Sequence, residues 1–161
     1  MPRVFISLGS NIDPETNIRK ALEALARHVR ITGISTITRT LAIGRPGQPD
    51  FLNAVVQAET KMPPRELKFS GLRQIEAELG RKRTEDKFAP RPIDLDLLIY
   101  DDFVIDEPDL KIPDPDIYCR AFLAAGIAEL APDLVLPDTG RLIGQVLSQM
   151  PKGPIPGDAG T

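Results

Sequence analysis

Asp94 and Asp96 stand one residue apart in the segment Ile93-Asp94-Leu95-Asp96-Leu97-Leu98-Ile99-Tyr100. The segment reads as a β-strand, in which side chains alternate between faces. Ile93, Leu95, Leu97 and Ile99 then face a core. Asp94 and Asp96 share the opposite face, about 7 Å apart at the backbone for a rise of ~3.3 Å per residue. Neighbouring carboxylates on a half-buried strand repel each other, and a divalent cation removes that penalty. Mg²⁺ suits the pair: it takes hard oxygen ligands, keeps several waters and draws the rest of its shell from phosphates. One pair of carboxylates can serve two such ions that bridge a polyphosphate. The same pattern also occurs as a solvated acidic pair, so the flanking residues carry weight.

Those flanks are oppositely charged. Residues 81–91 hold five basic and two acidic side chains, whereas residues 94–116 hold nine acids and one lysine. Metal-bound polyphosphate needs both signs, carboxylates for the ions and arginines for the phosphate oxygens. Arg81 and Arg91 bracket a stretch without apolar periodicity, which reads as a lid beside the metal site. No GxxxxGK[ST] cradle is present. Gly9-Ser10-Asn11 reads as the tight turn between the first strand and the first helix, with a phosphate-side role as the alternative.

The elements that must position these residues follow from periodicity. Arg3 to Gly9 is an apolar run typical of a buried strand. Asp13-Pro14 reads as an N-cap with proline at the first helical position. Ile18, Ala21, Leu22, Leu25 and Val29 then recur at helical spacing, which predicts a helix over 14–29. Ile31 to Thr40 and Phe51 to Thr60 read as the second and third strands. Residues 64–79 read as a helix with Leu67, Leu72, Ile75 and Leu79 inward and Gly80 just past its end. Ile93 to Tyr100 is the fourth strand. Tyr118 to Ala131 reads as a third helix and Leu142 to Met150 as a short fourth. The order β-α-β-β-α-β, followed by additions, is that of the α+β ferredoxin-like sandwich, with an antiparallel sheet, two helices on one face and the other face free for a site.

The 161 residues fit one domain, expected over 1–150, before a Pro- and Gly-rich stretch over 151–161 that reads as a disordered tail. A net charge of −3 argues against a nucleic-acid partner held by counterion release. A single cysteine, Cys119, and a single histidine, His28, leave no disulfide framework and no multi-histidine zinc site. No apolar run of about 18 residues is present, so no membrane partner is expected, and a reducing cytoplasmic location is.

The segment Lys87 to Leu98 runs basic residue, any residue, Ala, Pro, Arg, two residues, Asp-x-Asp and two aliphatics. Leu8-Gly9-Ser10-Asn11, Gln48-Pro49-Asp50-Phe51-Leu52-Asn53, Ile75-Glu76 with Gly80-Arg81-Lys82-Arg83, and Arg120-Ala121-Phe122 before Ala131-Pro132 accompany it in order. On these residues, over roughly residues 3–140, the sequence resembles the 6-hydroxymethyl-7,8-dihydropterin pyrophosphokinases of folate biosynthesis. The resemblance implies transfer of the β,γ-diphosphate of ATP to the hydroxymethyl oxygen of the pterin, with release of AMP. By position it implies that Asp94 and Asp96 bind two Mg²⁺ ions and that Arg81 and Arg91 are the catalytic loop arginines. It places Arg81, Arg83, Arg91, Asp114 and Arg120 on ATP. Phe51 and Phe122 match the aromatics that sandwich the pterin, Asn53 a residue that hydrogen-bonds it, and Thr40, Leu41 and Ile43 the pocket wall. A flat heterocycle between aromatic faces with an amide partner is physically sound. The substrates are then ATP and the pterin, and the chain is expected to act as a monomer.

The sequence departs from the family pattern at two places. Pro113-Asp114 stands where a Pro-His pair is common, which sets a carboxylate near a triphosphate. Phe88 stands where the family often has Trp. Two other classes match part of the pattern: a nucleotide-binding relative without turnover, and a small RNA-binding sandwich, which the aspartates on the open face disfavour.

Overall fold

The computed structural model of the chain describes residues 1–40, 47, 49–80 and 92–150. Strand β1 (Arg3–Ser10) is buried from Val4 onward because it runs through the middle of the sheet, antiparallel to β4 (Phe51–Glu59) on one side and β5 (Asp94–Tyr100) on the other. Strands β2 (Arg30–Ile34) and β3 (Thr38–Thr40) both pair with β4, so the order across the sheet is β2-β4-β1-β5 with β3 beside β4. With helix α1 (Pro14–Leu25) between β1 and β2 and a helical run between β4 and β5, this is the expected ferredoxin-like arrangement.

The expected strand over Ile31 to Thr40 is divided in two. Between its halves the Ser35 hydroxyl accepts from the Val55 backbone N–H at 2.8 Å and the Ser35 N–H donates to the Val55 carbonyl at 2.8 Å. A side chain thus replaces one rung of the ladder, and the chain shifts its line along β4. The first helix also ends earlier than expected, at Leu25, although Val29 N–H still bonds the Leu25 carbonyl at 3.0 Å. Asp13 holds the expected N-cap position before Pro14, but in the left-handed region (φ 42°) and without a side-chain hydrogen bond to the helix.

The second helical run comprises α2 (Pro64–Glu66), a π-helical segment (Leu67–Leu72) and α3 (Arg73–Glu78). The wider π turn lets Leu67 and Leu72, five residues apart, bury on one side together with Ile75. That side and α1 cover one face of the sheet through Val4, Ile6, Leu8, Ile18, Leu25, Val56, Leu95 and Leu97.

The opposite face is not wholly free. Helices α4 (Ala121–Leu130) and α5 (Ile143–Ser148) close a second core on Phe5, Val55, Leu98 and Ile99. Ile99 belongs to this second face and not to the first, as alternation had predicted. The register of β1 against β5 shifts between Phe5 and Ile6, so Leu98 is an extra residue and Ile99 turns over. The third helix starts at Ala121, after a 3₁₀ turn (Pro115–Tyr118) that Asp114 caps by accepting from Asp116 N–H at 2.9 Å. Strands β6 (Ile105–Glu107) and β7 (Leu110–Ile112) form a hairpin that the sequence reading did not separate. Arg65 holds it to α2 through Asp109 at 2.7 and 3.0 Å and Glu107 at 2.8 Å. Among the described residues no helix is long and apolar enough to cross a membrane.

Candidate active site

Beyond Phe5 on β1, the second sheet face passes from apolar to polar. Register places Val55, Ser7 and Asp96 in one row across β4, β1 and β5, and Asn53, Gly9 and Asp94 in the next. With strands about 4.8 Å apart, Asn53 and Asp94 are separated by roughly 10 Å of backbone, and the strand between them carries only a hydrogen at Gly9. Gly9 thus forms a floor flanked by two polar walls, Asn53 and Asp94. Gly9 is therefore a strand residue, not part of a tight turn. A Cβ at Gly9 would lie 2.9 Å from Asn53 Oδ1 and 3.7 Å from Phe51 Cδ1.

One wall is rigid. Asn53 is only 6% exposed, and its Nδ2 donates to the Thr40 hydroxyl, itself 2% exposed, at 2.7 Å. That bond fixes the amide so that Oδ1 points across Gly9. Phe51, half-buried, pairs with Thr40 across the β3–β4 ladder. Phe122, in the first turn of α4, lines a small cleft with Asn53, Ser35, Thr38 and Gly126. Arg120 immediately precedes α4, with its guanidinium carbon 5.0 Å from the centre of the Phe122 ring. Thr40, Phe51, Asn53 and Phe122 are thus brought to one end of the sheet.

The other wall is anionic. Asp94 is half-buried and Asp96 exposed, on the face expected. The donor chemistry fits Mg²⁺, because two carboxylates supply hard oxygen ligands from one face of the strand. Among the described residues no group of three or more His, Cys, Asp and Glu side chains gathers to hold a metal, so the described carboxylates form no closed all-protein cage. Glu76, which the sequence reading left without a role, supports this strand. It is 2% exposed and its Oε2 accepts from the Leu95 backbone N–H at 2.9 Å, between the two aspartates. Its signal in the sequence was its place on the inward stripe, four residues after Leu72.

Asp114 is half-buried, and its N–H donates to the Leu98 carbonyl at 2.8 Å, which pins it to β5. Burial raises its carboxyl above the ordinary aspartate value. The Asp116 N–H, Lys68 and Arg120 pull the other way, and the Asp116 carboxylate adds to the rise. Leu41, Ile43, Arg81, Arg83 and Arg91 lie outside the described residues.

The sequence profile of the 7,8-dihydro-6-hydroxymethylpterin-pyrophosphokinase (HPPK) family matches residues 5–132. The chain belongs to this family. It is 38% identical over 152 residues to the 2-amino-4-hydroxy-6-hydroxymethyldihydropteridine pyrophosphokinase of Pseudomonas aeruginosa, covering 92% of each chain. It is 41% identical over 129 residues to the enzyme of that name from Bacillus subtilis, covering 78% of this chain and 76% of that one. In fold it is similar to a crystallised HPPK-DHPS in complex with substrates (TM-score 0.69, 12% identity, 91% of this chain). It is likewise similar to wild-type Plasmodium falciparum HPPK-DHPS (TM-score 0.70, 12% identity, 92% of this chain). It spans only 43% and 44% of those two longer chains. The pyrophosphokinase reaction expected from the sequence, transfer from ATP to the hydroxymethyldihydropterin, is the activity of this family member.

Proposed function

We propose that this transfer takes place in the groove across β4, β1 and β5, with the pterin on the Asn53 side and the polyphosphate on the Asp94 side. The observation that supports this reading is the row Asn53–Gly9–Asp94, which sets an oriented amide and a carboxylate on opposite walls of one floor. Asn53 Oδ1 accepts from a donor on the pterin edge, and its fixed orientation rejects rings that lack one. Phe51 and Phe122 cover the ring faces, and Thr40, Leu41 and Ile43 complete the wall. Asp94 and Asp96 would hold two Mg²⁺ ions. Bound there, Mg²⁺ neutralises polyphosphate charge so that an oxygen nucleophile can approach. Arg81 and Arg91 meet the charge on the transferred group, and Arg83, Arg120 and Asp114 contact ATP. The hydroxymethyl oxygen bonds to the β-phosphorus and gives up its proton to solvent as the bond from that phosphorus to the α-phosphate oxygen breaks, and AMP leaves. No described side chain is placed as a general base, so the chain's contribution is positioning and charge. We include in this proposal a single domain over 1–150, supported by two cores that close on one sheet, acting as a monomer in a reducing cytoplasm, in keeping with the single cysteine.

Protein mixed with ATP, Mg²⁺ and 6-hydroxymethyl-7,8-dihydropterin should form AMP and the pterin diphosphate. Asp94→Ala and Asp96→Ala should each abolish turnover while pterin binding persists. Near-normal turnover in either variant overturns the metal assignment.

A further inference from the structure

Helix α4 packs tightly on the sheet at Gly126. A Cβ built there would lie 2.5 Å from Val55 Cγ2, 2.9 Å from Val55 Cβ and 3.4 Å from Ser35 Oγ. Two of these distances are shorter than Cβ contacts allow, so α4 can sit at this height only because residue 126 has no side chain. Glycine within a helix costs about 1 kcal/mol relative to alanine. Helix propensity therefore disfavours this residue, and its packing supplies a reason for it.

Gly126 lies one turn after Phe122, on the same side of α4. Both residues line the cleft that also contains Asn53. The height of the helix over Val55 therefore bears on the separation between Phe122 and Asn53, two residues along the same strand.

A second contact fixes the same distance. The Glu129 carboxylate, one turn beyond Gly126, accepts from Thr36 N–H at 2.6 Å and from the Thr36 hydroxyl at 2.5 Å. Thr36 follows Ser35, which is bonded to Val55 through both its N–H and its hydroxyl. The clamp thus references α4 to β4, the strand that carries Asn53 and Phe51.

We propose that Gly126, together with the Glu129–Thr36 clamp, is a positioning device that sets the width of the pterin cleft. The inference rests on the assignment of Phe122 and Asn53 to the pterin site. It makes Gly126 and Glu129 positioning residues that act on the pterin through the spacing of Phe122 and Asn53.

Gly126→Ala should lift α4 by up to about 1 Å, because the new methyl would otherwise lie 2.5 Å from Val55 Cγ2. The expected reading is a rise of tenfold or more in the KM for hydroxymethyldihydropterin, with the KM for ATP unchanged. The pterin Kd, read from the ligand's own fluorescence, should rise in parallel. Val55→Ala in the Gly126→Ala background removes the nearest clash and should restore part of the affinity. Glu129→Ala, at an exposed position, tests the clamp without crowding the core and should raise the same constant. Phe122→Ala separates the two claims. Unchanged pterin binding in Phe122→Ala overturns the site assignment and this inference with it. Weakened binding there, with parental binding in Gly126→Ala and Glu129→Ala, overturns the positioning role alone. Equal losses for ATP and pterin in both variants also overturn it, because they mark a general structural effect.

Discussion

Replacing Gly9 by alanine should separate activity from stability. Gly9 lies within β1, hydrogen-bonded in register with Asn53 and Asp94, and its backbone is not in the left-handed region. Alanine therefore meets no backbone strain, and the loss of glycine entropy favours the variant by about 0.5–1 kcal/mol. Against this, the new methyl would lie 2.9 Å from Asn53 Oδ1, inside an ordinary C···O contact of about 3.4 Å. Asn53 must retreat by about half an ångström. Its amide is buried and tied to Thr40 at 2.7 Å, so the retreat strains a hydrogen bond worth about 1 kcal/mol. The two effects on stability nearly cancel, and the urea midpoint should stay within experimental error of the parent. The groove is affected differently, because its floor rises and its oriented acceptor turns. A loss of about 1.5–3 kcal/mol in pterin binding, or roughly tenfold to a hundredfold in Kd, follows. Pterin binding titrated by fluorescence, beside urea unfolding of the same preparation, gives both numbers. Parental pterin affinity in Gly9→Ala refutes the glycine floor. A large stability loss refutes the reading of Gly9 as a relaxed strand residue.

Further outcomes follow from neighbouring residues. Glu76→Ala removes the acceptor of the buried Leu95 N–H and should destabilise the protein by about 2 kcal/mol in urea unfolding, whereas Glu76→Gln keeps an acceptor and should lose about half as much. An alanine variant as stable as the parent would exclude that bond as a support of β5. The Asp114 carboxyl is raised in the folded state by burial, so the folded protein binds its proton more tightly than the unfolded chain does. Its contribution is present in full below the ordinary aspartate pKa of about 3.9 and is lost as pH rises through the elevated value. Asp114→Asn should therefore gain stability relative to the parent as pH rises across that window, measured as the difference in urea midpoints; a constant difference between the two proteins contradicts it. Arg91→Ala should lower kcat more than it raises the KM for ATP, and a change confined to KM would exclude a role in the transition state.

Local patterns in the sequence carried the fold a long way. Helical spacing of Ile18, Ala21, Leu22 and Leu25, and alternation through Asp94, Leu95, Asp96 and Leu97, depend on periods that one element imposes on itself. They place helices, strands and the shared face of the aspartates without knowledge of partners. The signature from Lys87 to Leu98 and its companions carried the family and the reaction. The β6–β7 hairpin was harder to see, since strands of three residues are too short for a period to register. Leu98 resisted for another reason: a bulge is a mismatch between two strands, and neither strand shows it alone.

What the chain determines by itself is the set of residue types and their local faces: paired carboxylates, an asparagine and two phenylalanines at element ends, and the order of strands and helices. Only the folded molecule decides which of them meet. Gly9 became a floor because register set Asn53 and Asp94 on either side of it. Glu76 became a support because α3 packs beneath Leu95. Gly126 became a spacer because α4 rests on Val55. Each of these roles is a distance between segments far apart along the chain, and such distances are set by packing and hydrogen bonding between elements, not by the conformational preferences within any one of them.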